Sequence, residues 1–234
     1  MKHISILIPT YNRPQFIELV FNNLVNQTYP PELLEVVIDD DGEYPLIPEE
    51  RREMVQKCIA PITLKYIYNP ERRRTIGEKR NRLVQYATHD IVCFMDDDDY
   101  YHPHYIKHSY DILSSRNAGL VGSNCMIFCY PLYDFKITAI QTKHKNQIHE
   151  ATMMMTKKFW KEQGGFKQTS RGEGGSLLGD RTHDVELTNI NMCMVCMAHH
   201  TNTIDKAMFM DAETNIKRLP DENLISLMKG ILKI

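Results

Sequence analysis

The chain has 234 residues, a net charge of −2 and 42% hydrophobic residues, values typical of a soluble globular protein. They exclude a disordered, collagen-like or coiled-coil chain, and the near-neutral charge argues against bulk nucleic-acid binding. No stretch approaches the roughly 18–20 apolar residues of a membrane-spanning helix. The N-terminal segment MKHISILIPTYNRP has too short an apolar run for a signal peptide. We therefore expect a cytoplasmic protein, free or peripheral to a membrane.

The first hundred residues alternate between strand-like and helical patterns. Four apolar runs predict strands: HISILI, LLEVVI, PITLKYIY and DIVCFM. A first helix is predicted after Asn12, which would cap it, and a second over residues 49–58. Thr75 and Glu78 form the capping box of a third helix that runs to about Ala87. Repeated strand–helix units of this length predict right-handed crossovers and a largely parallel sheet.

The order changes after residue 103. A helical segment, PHYIKHSYDILSS, is followed by β-like runs, LVGSNCMIFCY and FKITAI, and by the methionine-rich ATMMMTKKFW. Four of the eleven glycines lie within residues 172–179, which predicts a mobile loop there. No linker or repeat divides the chain. We therefore predict one α/β domain over residues 1–234, with a parallel half (1–103) and a mixed half (104–234).

The six cysteines are consistent with a reducing compartment, because most lie inside apolar runs without a disulfide-scaffold spacing. A zinc site formed by Cys125, Cys129, Cys193 and Cys196 is the alternative. Cys193 and Cys196 are three apart, and residues three apart in a strand point to opposite faces, so buried free thiols are the preferred interpretation.

Acidic and polar residues follow three of the predicted strands. These are Thr10-Tyr11-Asn12, Asp39–Asp41 and Asp96–Asp99. In open parallel sheets, ligands bind beyond the carboxyl ends of the strands. Four adjacent aspartates repel one another, and a divalent cation such as Mg²⁺ or Mn²⁺ would relieve that repulsion. A solvated acidic turn that caps the next helix is the alternative.

A basic segment, ERRRTIGEKRNR, covers residues 71–82 and holds six basic residues against two acidic ones. Most of it lies at or just before a predicted helix N-terminus, where free N–H groups favour a bound anion. A basic helix start near an acidic strand end is what a metal-bound diphosphate requires. The alternative is a solvated basic face.

Five short motifs occur in order over residues 3–105: ISILIPTYNRP, NQTYP, EVVIDDDG, IGEKRN and FMDDDDYYHP. Together they resemble the family 2 glycosyltransferases of the A-type (nucleotide-diphospho-sugar transferase) fold. A weaker similarity continues through KKFWKEQGGF and AHHTNT. The resemblance implies a Rossmann-like fold with a mostly parallel central sheet.

The resemblance also implies a donor site. Thr10, Tyr11 and Asp40 would hold the nucleotide base and ribose, with Asp39 as the alternative to Asp40 because three aspartates stand where two are usual. The basic residues implied to approach the base and phosphates are Arg74, Lys79 and Arg80. The Asp-x-Asp signature falls on residues 96–98, which makes Asp98 the metal ligand, with Asp96 a second candidate ligand and Asp97 or Asp96 facing the ribose.

The catalytic base implied by the resemblance is the second residue of a Glu-Asp pair after a Gly-Gly-Phe turn. Here Glu173 is followed by glycine, so Glu173 is the first candidate, Asp180 the second and Asp184 the third. His199 resembles a late histidine that contacts the metal or diphosphate, and it fits the spacing better than His200.

The function implied is metal-dependent, inverting transfer of a sugar from a nucleotide-diphosphate donor, with UDP expected, to a hydroxyl group of a glycan or other acceptor. The cofactor would be Mn²⁺ or Mg²⁺, and the glycine-rich loop would order over the donor. One alternative is a sugar-1-phosphate nucleotidyltransferase, although PTYNRP lacks the glycine-rich phosphate loop such an enzyme needs. The other is a catalytically inactive sugar-binding or scaffold subunit on the same fold.

Overall fold

A seven-stranded sheet forms the centre of the structure, a computed structural model that describes residues 1–202, 205–212, 214–215 and 217–234. The strands are β1 Ile4–Thr10, β2 Leu34–Asp40, β3 Thr63–Tyr68, β4 Ile91–Phe94, β5 Tyr100–Tyr101, β6 Leu120–Gly122, β7 Cys125–Tyr130, β8 Lys136–Gln141, β9 Met154–Thr156, β10 Val185–Leu187 and β11 Met194–Met197. The helices are α1 Ile17–Val25, α2 Arg52–Ile59, α3 Ile76–Tyr86, α4 Tyr105–Ser115, α5 Lys157–Glu162, α6 Glu173–Leu178 and α7 Glu222–Leu232.

The strand order in the central sheet is β10-β6-β9-β4-β1-β2-β3. The strands β4, β1, β2 and β3 are mutually parallel, with Ile8 of β1 opposite Ile38 of β2. Strand β9 is antiparallel to both of its neighbours, β4 and β6. The predicted α/β class, with a parallel first half and a mixed second half, is therefore confirmed.

The central parallel strands β1, β2 and β4 are mostly apolar, whereas the edge strand β3 is partly exposed. Every residue of β1 and β2 is buried, as expected for strands covered by helices on two sides. Helix α3 begins at the predicted capping box, in which Thr75 accepts a hydrogen bond from the Glu78 N–H and the Glu78 side chain accepts one from the Thr75 N–H.

A smaller four-stranded sheet, in the order β5-β11-β7-β8, lies against the carboxyl end of the first. The run LVGSNCMIFCY divides into β6 and β7 between these two sheets. Ser123 and Asn124 make the break, because the Ser123 N–H donates to Thr152 Oγ1 at 2.8 Å and the Asn124 amide donates to the Thr142 carbonyl at 2.8 Å.

Two predicted local structures are wrong. Asn12 does not cap a helix: its φ is +52° and its side chain accepts a hydrogen bond from the Tyr44 N–H, so α1 starts only at Ile17 after a 3-10 turn. Residues 172–179 are not an open loop. They form α6, because Leu177 and Leu178 are completely buried in the core beneath it.

The thiols of the zinc alternative do not share one environment. Cys129 packs with the cluster of Phe16 and Leu19, whereas Cys193 and Cys196 belong to another part of the core. Burial raises the pKa of Cys129 and of Cys193 to about 12, so these two thiols stay protonated at neutral pH. Of the four thiols expected to be buried, Cys129, Cys193 and Cys196 are buried and Cys125 is partly buried.

No helix in the described part of the chain is long and apolar enough to cross a bilayer.

Candidate functional site

The acidic segment Asp96–Asp99 follows β4 and is held by side chains from other elements. Asn23 of α1 donates to the Asp99 carbonyl at 2.8 Å and accepts from the Tyr101 N–H at 3.0 Å. The hydroxyl of Tyr101 accepts from the Asp96 N–H at 2.8 Å and donates to the Ala151 carbonyl at 3.0 Å. The backbone that carries the four carboxylates is therefore fixed before any ligand binds.

Arg13 is shared by two of these carboxylates. Its Nη1 lies 2.8 Å from Asp97 Oδ1 and 2.9 Å from Asp98 Oδ2. Asp97 also accepts a hydrogen bond from the Thr10 hydroxyl at 2.5 Å. Burial raises the pKa of Asp97, and the charge of Asp98 raises it further, while Arg13 opposes both effects. For Asp98 burial is outweighed, and Arg13 and His199 hold the pKa below its usual range.

His199 and Asn202 complete the surroundings of Asp98. The Nε2 of His199 lies 3.2 Å from Asp98 Oδ2, and the Asn202 amide donates to the same oxygen at 3.1 Å. His199 follows β11, and the end of this strand places it beside the acidic segment.

The donors around Asp98 fit a divalent cation that shares its coordination with a ligand. Asp98 offers a carboxylate oxygen and His199 an imidazole nitrogen, both suitable for Mn²⁺ or Mg²⁺. Within the ranges described, no group of three His, Cys, Asp or Glu side chains could hold a metal alone. Oxygens of a bound diphosphate and of water would have to supply the other ligands. Asp96, the second candidate ligand, is already paired with Arg80.

A cavity of about 370 Å³ is lined by Arg13, the partner of Asp97 and Asp98, and we call it the Tyr11 cavity. Its lining includes Thr10, Tyr11, Arg73, Arg74 and Lys79. The guanidinium of Arg73 lies 4.2 Å from the centre of the Tyr11 ring and covers one face of it, so an aromatic ring and cationic groups lie together in this cavity. Such a combination suits a planar base joined to phosphates.

Lys79 is fixed at the floor of the Tyr11 cavity, where it donates to the Thr10 carbonyl at 2.6 Å and forms an ion pair with Asp41. Asp41 also accepts a hydrogen bond from the Arg74 N–H. Asp41, rather than either predicted aspartate, therefore connects the end of β2 to this cavity.

The structure does not bring Asp39 or Asp40 into the Tyr11 cavity. Asp40 is fully buried and accepts hydrogen bonds from the Gly42 N–H, the Leu46 N–H and the Tyr66 hydroxyl. Asp39 is paired with Arg82 at 2.9 Å. Both carboxylates therefore hold the end of β2 in place. Side chains alternate between the two faces of a strand, so the register of β2 determines which of them can contact a ligand.

A second cavity, of about 280 Å³, adjoins the first across Arg13 and Asn202. We call it the Glu173 cavity. Its polar lining includes Arg80, Asp96, Glu150, Glu173 and Lys206, and its apolar lining Met126, Phe128, Ile140 and Phe209. Arg80 lies here and not in the Tyr11 cavity. It joins Asp96, at 3.1 Å, to Glu173, at 3.3 Å.

Of the three candidate bases, the structure brings only Glu173 to this site. Asp180 is exposed beyond the end of α6 and lines neither cavity. Asp184 forms an ion pair with Arg181, which lowers its pKa. Burial raises the pKa of Glu173, and Arg80 opposes this effect.

Sequence reasoning missed Arg13, Asp41, Glu150 and Lys206. Arg13 and Asp41 stand inside motifs that were recognised, so their positions carried a signal. Glu150 and Lys206 lie in segments without any such pattern, and only the packing of the two sheets places them at the cavity.

Known proteins match this chain both in sequence and in fold. The model of the family described as Glycosyl transferase family 2 matches residues 5–168. The chain is 27% identical over 131 residues to the Validoxylamine A glucosyltransferase of Streptomyces hygroscopicus subsp. limoneus, covering 56% of this chain and 27% of that protein. It is also 27% identical over 165 residues to the poly(ribitol-phosphate) beta-N-acetylglucosaminyltransferase TarS of Staphylococcus aureus, covering 67% and 27%. The chain thus spans about a quarter of the length of these relatives.

Solved structures match over most of the chain. TarS 1-349 of S. aureus in complex with UDP superposes with a TM-score of 0.64 at 18% identity, covering 84% of this chain and 60% of that one. The mannosyltransferase PcManGT of Pyrobaculum calidifontis in complex with GDP-Man and Mn²⁺ gives 0.59 at 18% identity, covering 88% and 58%. At this identity the likeness establishes the fold, and it confirms the predicted fold.

Proposed function

The chain belongs to glycosyl transferase family 2, and on that premise we propose that it moves a sugar from a nucleotide-diphosphate donor to an acceptor hydroxyl group with inversion at the anomeric carbon. The observation that carries the proposal is the junction of two cavities at Arg13 and Asn202, the residues that contact Asp98. A cationic, aromatic cavity lies on one side of this junction, and a cavity lined by carboxylates, among them Asp97 and Asp98, lies on the other.

The donor nucleotide occupies the Tyr11 cavity in this proposal. The base stacks on Tyr11, and Arg73, Arg74 and Lys79 neutralise the diphosphate. A uridine nucleotide is the preferred donor, as in the TarS complex with UDP. Asp98 and His199 would hold the metal ion, which when bound withdraws charge from the diphosphate and so stabilises the departing nucleotide.

The acceptor enters the Glu173 cavity. Its hydroxyl oxygen attacks the anomeric carbon from the face opposite the diphosphate, the carbon–oxygen bond to phosphate breaks, and the electron pair leaves with the nucleoside diphosphate. The hydroxyl proton passes to one of the two glutamates that line this cavity, Glu173 or Glu150. The apolar side chains around the cavity exclude water, which would otherwise compete with the acceptor.

The test is release of nucleotide from UDP-glucose, UDP-N-acetylglucosamine and GDP-mannose, each with Mn²⁺ or EDTA and a panel of sugar alcohols and glycans. We expect Mn²⁺-dependent release with at least one UDP-sugar, and a product whose anomeric proton shows inversion by NMR. The Asp98→Asn variant is the matched control and should show no metal dependence.

Two results would contradict the proposal. Tight binding of a UDP-sugar without release of nucleotide under any condition would indicate a sugar-binding subunit. Formation of pyrophosphate from a nucleoside triphosphate and a sugar 1-phosphate would indicate a nucleotidyltransferase.

A further inference from the structure

Glu150 occupies a position in the Glu173 cavity that no local pattern in the sequence indicates. It begins the 3-10 turn Glu150–Thr152, just before β9. The Tyr101 hydroxyl holds this turn through the Ala151 carbonyl. The carboxylate of Glu150 accepts a hydrogen bond from the Gly174 N–H, with Oε1 at 2.8 Å. A rigid turn on one side and the first turn of α6 on the other therefore fix the side chain.

The carboxylate of Glu150 fills the space that a side chain at position 174 would need. A Cβ atom built on Gly174 would lie 2.5 Å from both Cγ and Oε1 of Glu150, and 2.7 Å from its Cδ. Real Cβ atoms essentially never make contacts this short, and the three nearest atoms all belong to Glu150. Glycine at position 174 therefore leaves the room that the Glu150 side chain occupies. The carboxylate beside Glu173 thus comes from a turn that is distant in sequence.

The two glutamates differ in what already binds them. Glu173 is 6% exposed, and its Oε1 is paired with Arg80, which Asp96 holds from the other side. Glu150 is half-buried. Among the residues described, no Lys, Arg or His nitrogen lies within 4 Å of its carboxylate, and its Oε2 makes no hydrogen bond. In the described residues the Oε2 of both glutamates is without a hydrogen bond, so the difference between them is the cation: Glu173 is held in an ion pair with Arg80, and Glu150 is not.

We infer that Glu150 is the general base of the transfer reaction and that Glu173 is a positioning residue that holds Arg80. This inference rests on the proposed transfer of a sugar from a nucleotide-diphosphate donor. Glu150 Oε2 takes the proton of the acceptor hydroxyl as the oxygen of that hydroxyl bonds to the anomeric carbon. The bond from that carbon to the diphosphate oxygen breaks, and its electrons leave with the nucleoside diphosphate.

The first experiment compares Glu150→Gln with Glu173→Gln and with the exposed Glu53→Gln as control, using a donor and acceptor that the wild-type protein turns over. Glutamine at position 150 can still accept the hydrogen bond from Gly174, so folding should be preserved. We expect kcat for Glu150→Gln to fall by about 10²–10⁴-fold, with donor Kd within twofold of wild type. Glu173→Gln should lose less than about tenfold. A larger loss in Glu173→Gln than in Glu150→Gln would overturn the assignment.

The second experiment moves the carboxylate. Glu150→Ala removes all three atoms that obstruct position 174, so the double variant Glu150→Ala, Gly174→Asp can carry a carboxylate in the vacated space. We expect the double variant to transfer at least tenfold faster than Glu150→Ala, and added formate to accelerate Glu150→Ala itself. Two folded variants with neither kind of rescue would show that Glu150 is structural.

Failure of the proposed function gives a different result. If the wild-type protein transfers no sugar from any donor, the proposed function fails before any variant is compared. If the wild-type protein is active and Glu150→Gln is equally active, only the assignment of Glu150 fails.

Discussion

Replacing Arg13 by glutamine is expected to destabilise the protein in the absence of metal. Its Nη1 lies within 2.9 Å of carboxylate oxygens of both Asp97 and Asp98, and Nη2 donates to the Thr201 carbonyl at 2.9 Å. The Asp97 side chain is fully buried. Removing one partner of a buried ion pair costs about 3–5 kcal/mol, because the remaining charge is uncompensated. Because the Arg13 side chain is 14% exposed, we expect a cost at the lower end of this range, about 3 kcal/mol.

For a chain of this length, 1 kcal/mol corresponds to roughly 2–4 °C in Tm, so the Arg13→Gln variant should unfold about 6–12 °C below wild type in EDTA at pH 7.5. The exposed Arg116→Gln is the control and should change Tm little. The loss should shrink toward pH 5, because the raised pKa of Asp97 lets that carboxyl take up a proton and lose its charge. Mn²⁺ should raise the Tm of the variant more than that of wild type. A loss in Tm below about 2 °C in EDTA would refute the claim that Arg13 compensates the buried charges of Asp97 and Asp98.

Three further changes test other parts of the site and the fold. Asp98→Asn should abolish the Mn²⁺-dependent gain in UDP affinity measured by calorimetry, and an unchanged gain would remove Asp98 from the metal site. Lys79→Ala should weaken UDP by about 10–100-fold, as expected for hydrogen bonds to charged groups, but uridine much less; equal losses would indicate a structural role. Glu35 is partly desolvated, yet its hydrogen bonds with Ser5 and Thr88 lower its pKa below 4.5. That lowered pKa adds stability above pH 4.5 that is lost as the pH falls. Glu35→Gln should therefore cost about 1–3 kcal/mol at pH 7 and progressively less toward pH 3 in urea titrations, and a pH-independent cost would contradict this.

Local patterns predicted the parallel half of the fold well. The capping box at Thr75 and Glu78 depends only on residues three apart, and it is present as predicted. The apolar runs of β1 and β2 needed no knowledge of their partners either. Wherever local chemistry alone decides a structure, the sequence is sufficient.

Predictions were wrong where contacts distant in sequence decide the outcome. Asparagine often caps helices, but the side-chain oxygen of Asn12 accepts a hydrogen bond from the Tyr44 N–H instead. The glycines of residues 172–179 suggested an open loop, but burial of Leu177 and Leu178 folds them into α6. In each case the tertiary contacts outweigh the local conformational preference of the residues.

For the site, too, features that depend on local sequence could be predicted, and features that depend on distant contacts could not. The acidic segment at residues 96–99 was found from its charge alone, and Glu173 from a resemblance. Which aspartate after β2 contacts residues that line the Tyr11 cavity depends on strand register, and here Asp41 pairs with Lys79 whereas Asp39 pairs with Arg82. The position of Glu150 depends on a turn more than twenty residues from Gly174 along the chain, which no local pattern could reveal.

The antiparallel strand β9 determines when the edge of the parallel strands can be covered during synthesis. It lies between β4 and β6 and pairs with both, although more than fifty residues separate it from β4 along the chain. Until residue 156 has left the ribosome, β4 has an open edge of unpaired backbone groups, which favours aggregation. A nascent chain that stops near residue 103 therefore exposes this edge. Strand β9 thus makes the parallel half of the sheet dependent on the second half of the chain.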